Sequence, residues 1–256
     1  MFYNRHEIVK LEFLTINKMN IDALFFGAHP DDIELSCGGT LHNIILSGKK
    51  AAIIDLTEGE LGTRGSVETR YKESIEGAKI LGADFRVNLM IPDGNIINSP
   101  ENRIKIIRLI REYKPKIIFA PYPGDRHPDH IHASELISEA SFYSGLGKIK
   151  SELNNKNQDA YRPGRVYYYM QTYTFEPSFI TDITDSFETK MKAVKSYKSQ
   201  FYNPDNTEPD TFISDKKFIE YIEARAQFYG FYIGVKFGEP FFTKEKLKFS
   251  ANQLFE

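Results

Sequence analysis

Short apolar runs alternate with stretches of helical spacing through the first half of the chain. The run 22–27 (DALFFG) reads as a buried strand, and 34–47 as a helix closed by Gly48. A second strand at 51–56 (AAIIDL), a helix at 67–81 and a strand at 85–90 follow. Positions 103–113 have helical spacing, 116–120 (KIIFA) is a further strand, and the next helix runs to about 143. The loops at 57–66 and 92–100 are polar and carry glycine. This alternation predicts an α/β fold, a mainly parallel, doubly wound sheet with right-handed crossovers. Beyond it, 148–165 reads as loop, 166–173 and 179–183 as added strands, and 186–197 and 216–228 as added helices before an aromatic segment. No repeat or linker divides the pattern. Residues 20–248 are therefore expected to form a single domain, with 1–19 an N-terminal extension and 249–256 a tail.

Two of the strand-to-helix turns carry unusual chemistry. Ala28-His29-Pro30-Asp31-Asp32 follows the first strand, and Arg126-His127-Pro128-Asp129-His130 follows the run KIIFA. In open α/β sheets the crevice beyond the strand ends is where ligands bind. Alone, either motif could be an N-capping turn, since Asp caps helices well. Two together, each behind a strand, point to one shared site. His29 and Asp32 lie three apart across a tight turn, and His130 comes from the second turn. They form a His-His-Asp set suited to Zn²⁺, which Fe²⁺ or Mn²⁺ would also accept. Asp31 is then held beside the metal as a general base for its bound water. His127 shares a helix face with His130, where it would stabilise an oxyanion or protonate a leaving amine. Asp129 is placed to fix the tautomer of one of these two imidazoles.

Composition narrows the alternatives. The 256 residues are 41% hydrophobic and 27% charged, enough for one large domain core. A net charge of −2 excludes a general nucleic-acid binder. No apolar run reaches the ~18–20 residues of a membrane span. The N-terminal stretch is interrupted by Arg5, Glu7, Lys10 and Glu12, so it lacks a signal-peptide core, and Met19 is an alternative start. The single cysteine, Cys37, fits a reducing cytoplasm. Gly38-Gly39 lacks the dinucleotide fingerprint. His42, mid-helix beside apolar residues, reads as packed or exposed rather than liganding, His132 points to another face than His130, and Arg64 reads as a solvated surface side chain.

The two motifs, HxDD and HPDH, resemble those of the LmbE-like or PIG-L-like zinc-dependent de-N-acetylases, over about 20–248. Asp55-Leu56-Thr57-Glu58, Tyr167-Tyr168-Tyr169-Met170, Glu223-Ala224-Arg225 and Gly238-Glu239-Pro240-Phe241-Phe242 are similar to the branch that deacetylates N-acetylglucosaminyl-malate in bacillithiol synthesis. The resemblance implies a Rossmann-like sheet, zinc on His29, Asp32 and His130, Asp31 as base and His127 at the oxyanion. It also implies that Arg70 reaches a small-molecule amino-sugar substrate, with Arg126 available to malate carboxylates, and that the chain forms a homo-oligomer, often a hexamer in that branch. Two departures stand out. Pro92-Asp93-Gly94-Asn95 replaces a Pro-Asp-Arg-Gly, leaving Asp93 as a pocket organiser without the neighbouring cation, and Phe218 stands where a tyrosine is usual. The alternatives are a deacetylase of another N-acetylglucosamine conjugate and a non-catalytic metal-binding protein of the same fold.

Overall fold

Hydrophobic alternation along the first strand decides the layering. In β1 (Ala23–Gly27), Leu24 and Phe26 enter one buried cluster while Ala23 and Phe25 enter another, as the two faces of a strand require. The computed structural model describes residues 20–248 and 250–252, so the N-terminal extension lies outside the described residues. The chain continues through α1 (Asp32–Leu46), β2 (Ala51–Asp55), α2 (Val67–Leu81), β3 (Arg86–Asn88), α3 (Pro100–Tyr113), β4 (Ile117–Pro121) and α4 (Pro128–Tyr143). Helices α3 and α4 pack on the Leu24 face, and α1 and α2 on the Phe25 face. The strand order β3-β2-β1-β4 reverses direction between β1 and β4, so the two motifs meet at the topological switch point. This is the expected doubly wound, Rossmann-like sheet.

The second half departs from expectation in places. The stretch read as loop holds a small hairpin, β5 (Glu152–Leu153) with β6 (Lys156–Asn157). Strand β7 (Arg165–Tyr169) is parallel to β4 but stops well short of 173, and β8 (Phe179–Asp182) follows. Helix α5 (Phe187–Val194) is shorter than expected, and α6 (Lys216–Tyr232) longer. The aromatic segment is a strand, β9 (Gly238–Phe242), inserted antiparallel between β7 and β8. Helix α3 begins three residues before the expected position because Ser99 accepts a hydrogen bond from Asn102 N and Pro100 occupies the first turn. No helix among the described residues is long and apolar enough to cross a membrane.

Candidate metal centre

The first turn is shaped by close approach. A Cβ on Gly27 would meet the His29 carbonyl oxygen at 3.0 Å and Asp32 Cβ at 3.1 Å, so glycine lets the chain fold back here without crowding the turn. The His29 amide then donates to Asp32 Oδ2 at 3.0 Å, closing the turn. Asp31 accommodates this geometry with φ of 121°, a region that costs a non-glycine residue about 1–3 kcal/mol and is found where surroundings over-determine it.

Asp32 lies against both imidazoles. Its Oδ1 is 3.4 Å from His130 Nε2 and its Oδ2 is 3.9 Å from His29 Nδ1. The other nitrogen of each ring is taken by carboxylates. His29 Nε2 lies 3.1 Å from Asp93 Oδ1 and 3.3 Å from Asp129 Oδ2, and His130 Nδ1 lies 2.5 Å from Asp125 Oδ2. This is the outer-shell arrangement that orients metal-ligating histidines. Among the described residues, the donor atoms that lie mutually within 4.8 Å are those of His29, His127 and His130 and those of His29, Asp93 and Asp129. The structure thus brings His127 as close to the two histidines as the expected Asp32 set requires, while Asp32 itself joins neither group. Burial opposes a charged ring at His29, yet hydrogen bonds to Asp129 and Asp93 and the charge of Asp32 outweigh it and push its pKa up to about 10. At His130 burial is likewise outweighed, by Asp32 and Asp125, and the pKa is pushed up to about 9. The carboxylate charge that retains these two protons suits a divalent cation, which would displace them from the Asp32-facing nitrogens. The mixed nitrogen and oxygen donor set fits zinc.

The remaining expected residues fall as follows. Asp31 is buried beside this cluster, and Arg70 Nη2 donates to its Oδ2 at 3.0 Å. Burial, reinforced by Asp32 and opposed by Arg70, pushes the Asp31 carboxyl up to about 7. Arg70 also donates to the Pro30 and Gly59 carbonyls, and its side chain lines the cleft over the centre. His127 caps α4: its Nδ1 accepts from Asp129 N at 3.2 Å, leaving Nε2 as the protonated nitrogen. Burial and the neighbouring His29 and His130 lower its pKa, which favours the neutral imidazole as the donor form. Asp129 supports neither His127 nor His130 with its carboxylate; that group turns to His29 and accepts Gly94 N at 2.8 Å. Asp93 Oδ2 accepts Leu61 N at 2.9 Å, which ties the glycine-rich loop to the site.

Two further side chains join the centre, Asp125 directly before the Arg126-to-His130 turn and Gln171 without a motif to announce it. Asp125 orients His130 and accepts the Thr172 and Tyr173 amides, while Gln171 Nε2 lies 2.7 Å from Asp32 Oδ1. Both stand just past strand ends, which for Gln171 is the one signal available in the sequence. Arg64 is buried rather than solvated, because the Glu208 and Pro209 carbonyls and Asp210 surround its guanidinium. His42 is satisfied by the Leu81 carbonyl at 2.9 Å. A cleft of about 390 Å³ opens over His29, Asp31 and His130, and its wall includes Arg126, Phe212 and Phe218. The Arg126 guanidinium lies 4.3 Å from the centre of the Phe212 ring.

Residues 24–141 match the family model described as PIG-L, GlcNAc-PI de-N-acetylase. The chain is 33% identical to the diacetylchitobiose deacetylase of Thermococcus kodakarensis over 183 residues, 68% of this chain and 67% of that one. Among solved structures, the conserved protein TT1542 of Thermus thermophilus superposes with a TM-score of 0.81 at 37% identity, covering 90% of this chain and 98% of that one. The N,N'-diacetylchitobiose deacetylase of Pyrococcus horikoshii superposes with a TM-score of 0.73 at 28% identity, covering 94% and 92%.

Proposed function

Because the chain belongs to the PIG-L family of de-N-acetylases, we propose that it is a metal-dependent amide hydrolase removing the N-acetyl group from an N-acetylglucosamine conjugate, with N-acetylglucosaminyl-malate as the substrate. The observation that carries this is the Asp32 carboxylate set between two histidines, each braced from behind by carboxylates, with Asp31 buried alongside. His29, Asp32 and His130 would hold the cation, for which we propose zinc. When bound, the cation supplies polarisation of the amide carbonyl and a more acidic water.

The chain's own groups supply the remaining steps. Asp31, fixed by Arg70, accepts a proton from the water that attacks the acetyl carbon. The oxyanion that forms takes a hydrogen bond from His127 Nε2–H. Asp31 then returns its proton to the sugar nitrogen, the C–N bond breaks, and acetate and the free amine leave. Asp93 and Asp129 keep His29 in register throughout.

Malate as the aglycone is supported by the motifs shared with that branch and by Arg126 at the cleft wall. The Phe212 ring holds the Arg126 guanidinium at the cleft wall, where its N–H groups would meet a carboxylate. Arg126→Ala should raise KM for the malate conjugate by about tenfold or more, the size of one charge-assisted hydrogen bond, with little change in kcat. Steady-state kinetics with plain N-acetylglucosamine alongside, where no change is expected, makes the comparison.

A second reading, a second sugar as aglycone, draws on the similarity to the diacetylchitobiose deacetylases and on the aromatic wall of Phe212 and Phe218. Acetate release from the malate conjugate, diacetylchitobiose and N-acetylglucosamine, each by zinc-loaded and chelator-treated protein, tests all of this. Chelation should abolish release and zinc restore it; release that survives chelation refutes the metal mechanism. Preference for diacetylchitobiose would replace malate with the sugar.

A further inference from the structure

The helix that brings Asp32 into the site is broken close to its start. Cys37, at φ −142° and ψ 21°, is non-helical inside α1 and separates a first segment bearing Asp32 and Glu34 from the rest. Such a break frees backbone donors on its far side and carbonyls on its near side, and buried groups of this kind must find partners.

Glu239 of β9 meets the donors. Its Oε1 accepts Gly39 N at 3.1 Å, and its Oε2 accepts Thr40 N at 2.7 Å and Thr40 Oγ1 at 2.6 Å. Lys190 Nζ of α5 reaches Oε1 at 2.6 Å and balances the charge. Every lone-pair direction of this buried carboxylate is therefore used. On the near side, Arg225 of α6 donates Nη2 to the Leu35 carbonyl at 3.0 Å and Nη1 to the Gln171 carbonyl. The Gln171 side chain returns to the centre, 2.7 Å from Asp32 Oδ1 and 3.3 Å from His130 Nε2.

We propose that Glu239 and Arg225 are positioning residues for the metal centre. By holding the two sides of the break they set the direction in which the first segment points Asp32, and thereby the affinity for the cation. Neither residue shares a hydrogen bond with His29, Asp32 or His130; they act through backbone groups of α1 and of Gln171. The proposal rests on the reading that His29, Asp32 and His130 hold the cation.

The test is Zn²⁺ affinity of the full chain by competition with a chromophoric chelator, together with the absorption spectrum of the Co²⁺-loaded protein. Glu239→Ala and Arg225→Gln should each weaken Zn²⁺ binding by about 10- to 100-fold, the usual cost of losing an outer-shell partner, and alter the Co²⁺ bands. Glu239→Gln, which keeps one acceptor oxygen, should fall between Glu239→Ala and wild type. Ile110→Ala, a cavity in the core under α3, should lower the melting temperature and leave the affinity alone. Folded Glu239 and Arg225 variants with wild-type affinity and unchanged Co²⁺ bands overturn the proposal. If Glu239→Ala does not fold, Arg225→Gln decides. Wild-type protein that binds no Zn²⁺ refutes the metal reading itself, and this proposal with it.

Discussion

Asp31→Asn is expected to lower acetate release by about 10²- to 10⁴-fold, the range ascribed to a positioned general base, while Zn²⁺ remains bound. The substitution preserves volume and the hydrogen-bonding outline but removes the proton acceptor. Arg70 keeps its contacts to the Pro30 and Gly59 carbonyls, so the turn retains two of its anchors. The experiment needs metal content and initial rate from the same preparation. Full turnover by the zinc-loaded variant would end the assignment of Asp31 as base, and loss of the metal would show instead that Asp31 belongs to the ligand set.

Arg86→Leu should be the most damaging single change to stability. Arg86 sits in β3 and is buried, donating Nε and Nη2 to Asp55 at 2.6 and 2.8 Å and Nη1 to Glu34 Oε1 at 2.5 Å. Glu34 Oε2 has no hydrogen-bond partner, and Tyr197 Oη donates to Oε1 at 3.0 Å. Removing the guanidinium strands two carboxylates in the interior, and breaking a buried pair this way costs about 3–5 kcal/mol. Against a total stability of ~5–15 kcal/mol, that is a large fraction. Urea denaturation should show the midpoint falling accordingly. Arg86→Lys should lose less, because it keeps the charge but not the bidentate fork. A midpoint unchanged in Arg86→Leu would mean that these carboxylates are protonated or hydrated and do not depend on the arginine.

How much of this can be read from the chain depends on sequence distance. The strands and helices flanking the two motifs have strong local signals, and their meeting follows from the switch-point rule, which places His29, Asp32 and His130 together. The direction of Asp129 has no local signal, because its partner His29 is a hundred residues away. The bond from Arg70 to Asp31 is hidden for the same reason, because the two stand 39 positions apart. Arg64 reads as a solvated arginine because the 208–210 segment that covers it arrives from far along the chain. Strand β9 is concealed by its own composition. Gly238 and Pro240 argue against an interior strand, yet Pro240 pairs only with β8, and the ladder to β7 uses Phe241 and Phe242.

The place of β9 bears on the order in which the molecule can be assembled. Residues 238–242 emerge from the ribosome long after β7 and β8, and β8 has no ladder in the main sheet except through them. The nascent chain can pack its first five parallel strands early. The far edge of the sheet must wait, and so must the carboxylate that secures the bend in α1, because Glu239 lies on that last strand. Completion of the sheet and completion of the metal pocket are thus one late, non-local event in biosynthesis, the kind of pairing that folds slowly. A polypeptide cut before Gly238 would carry every proposed ligand and still lack the part that aims them.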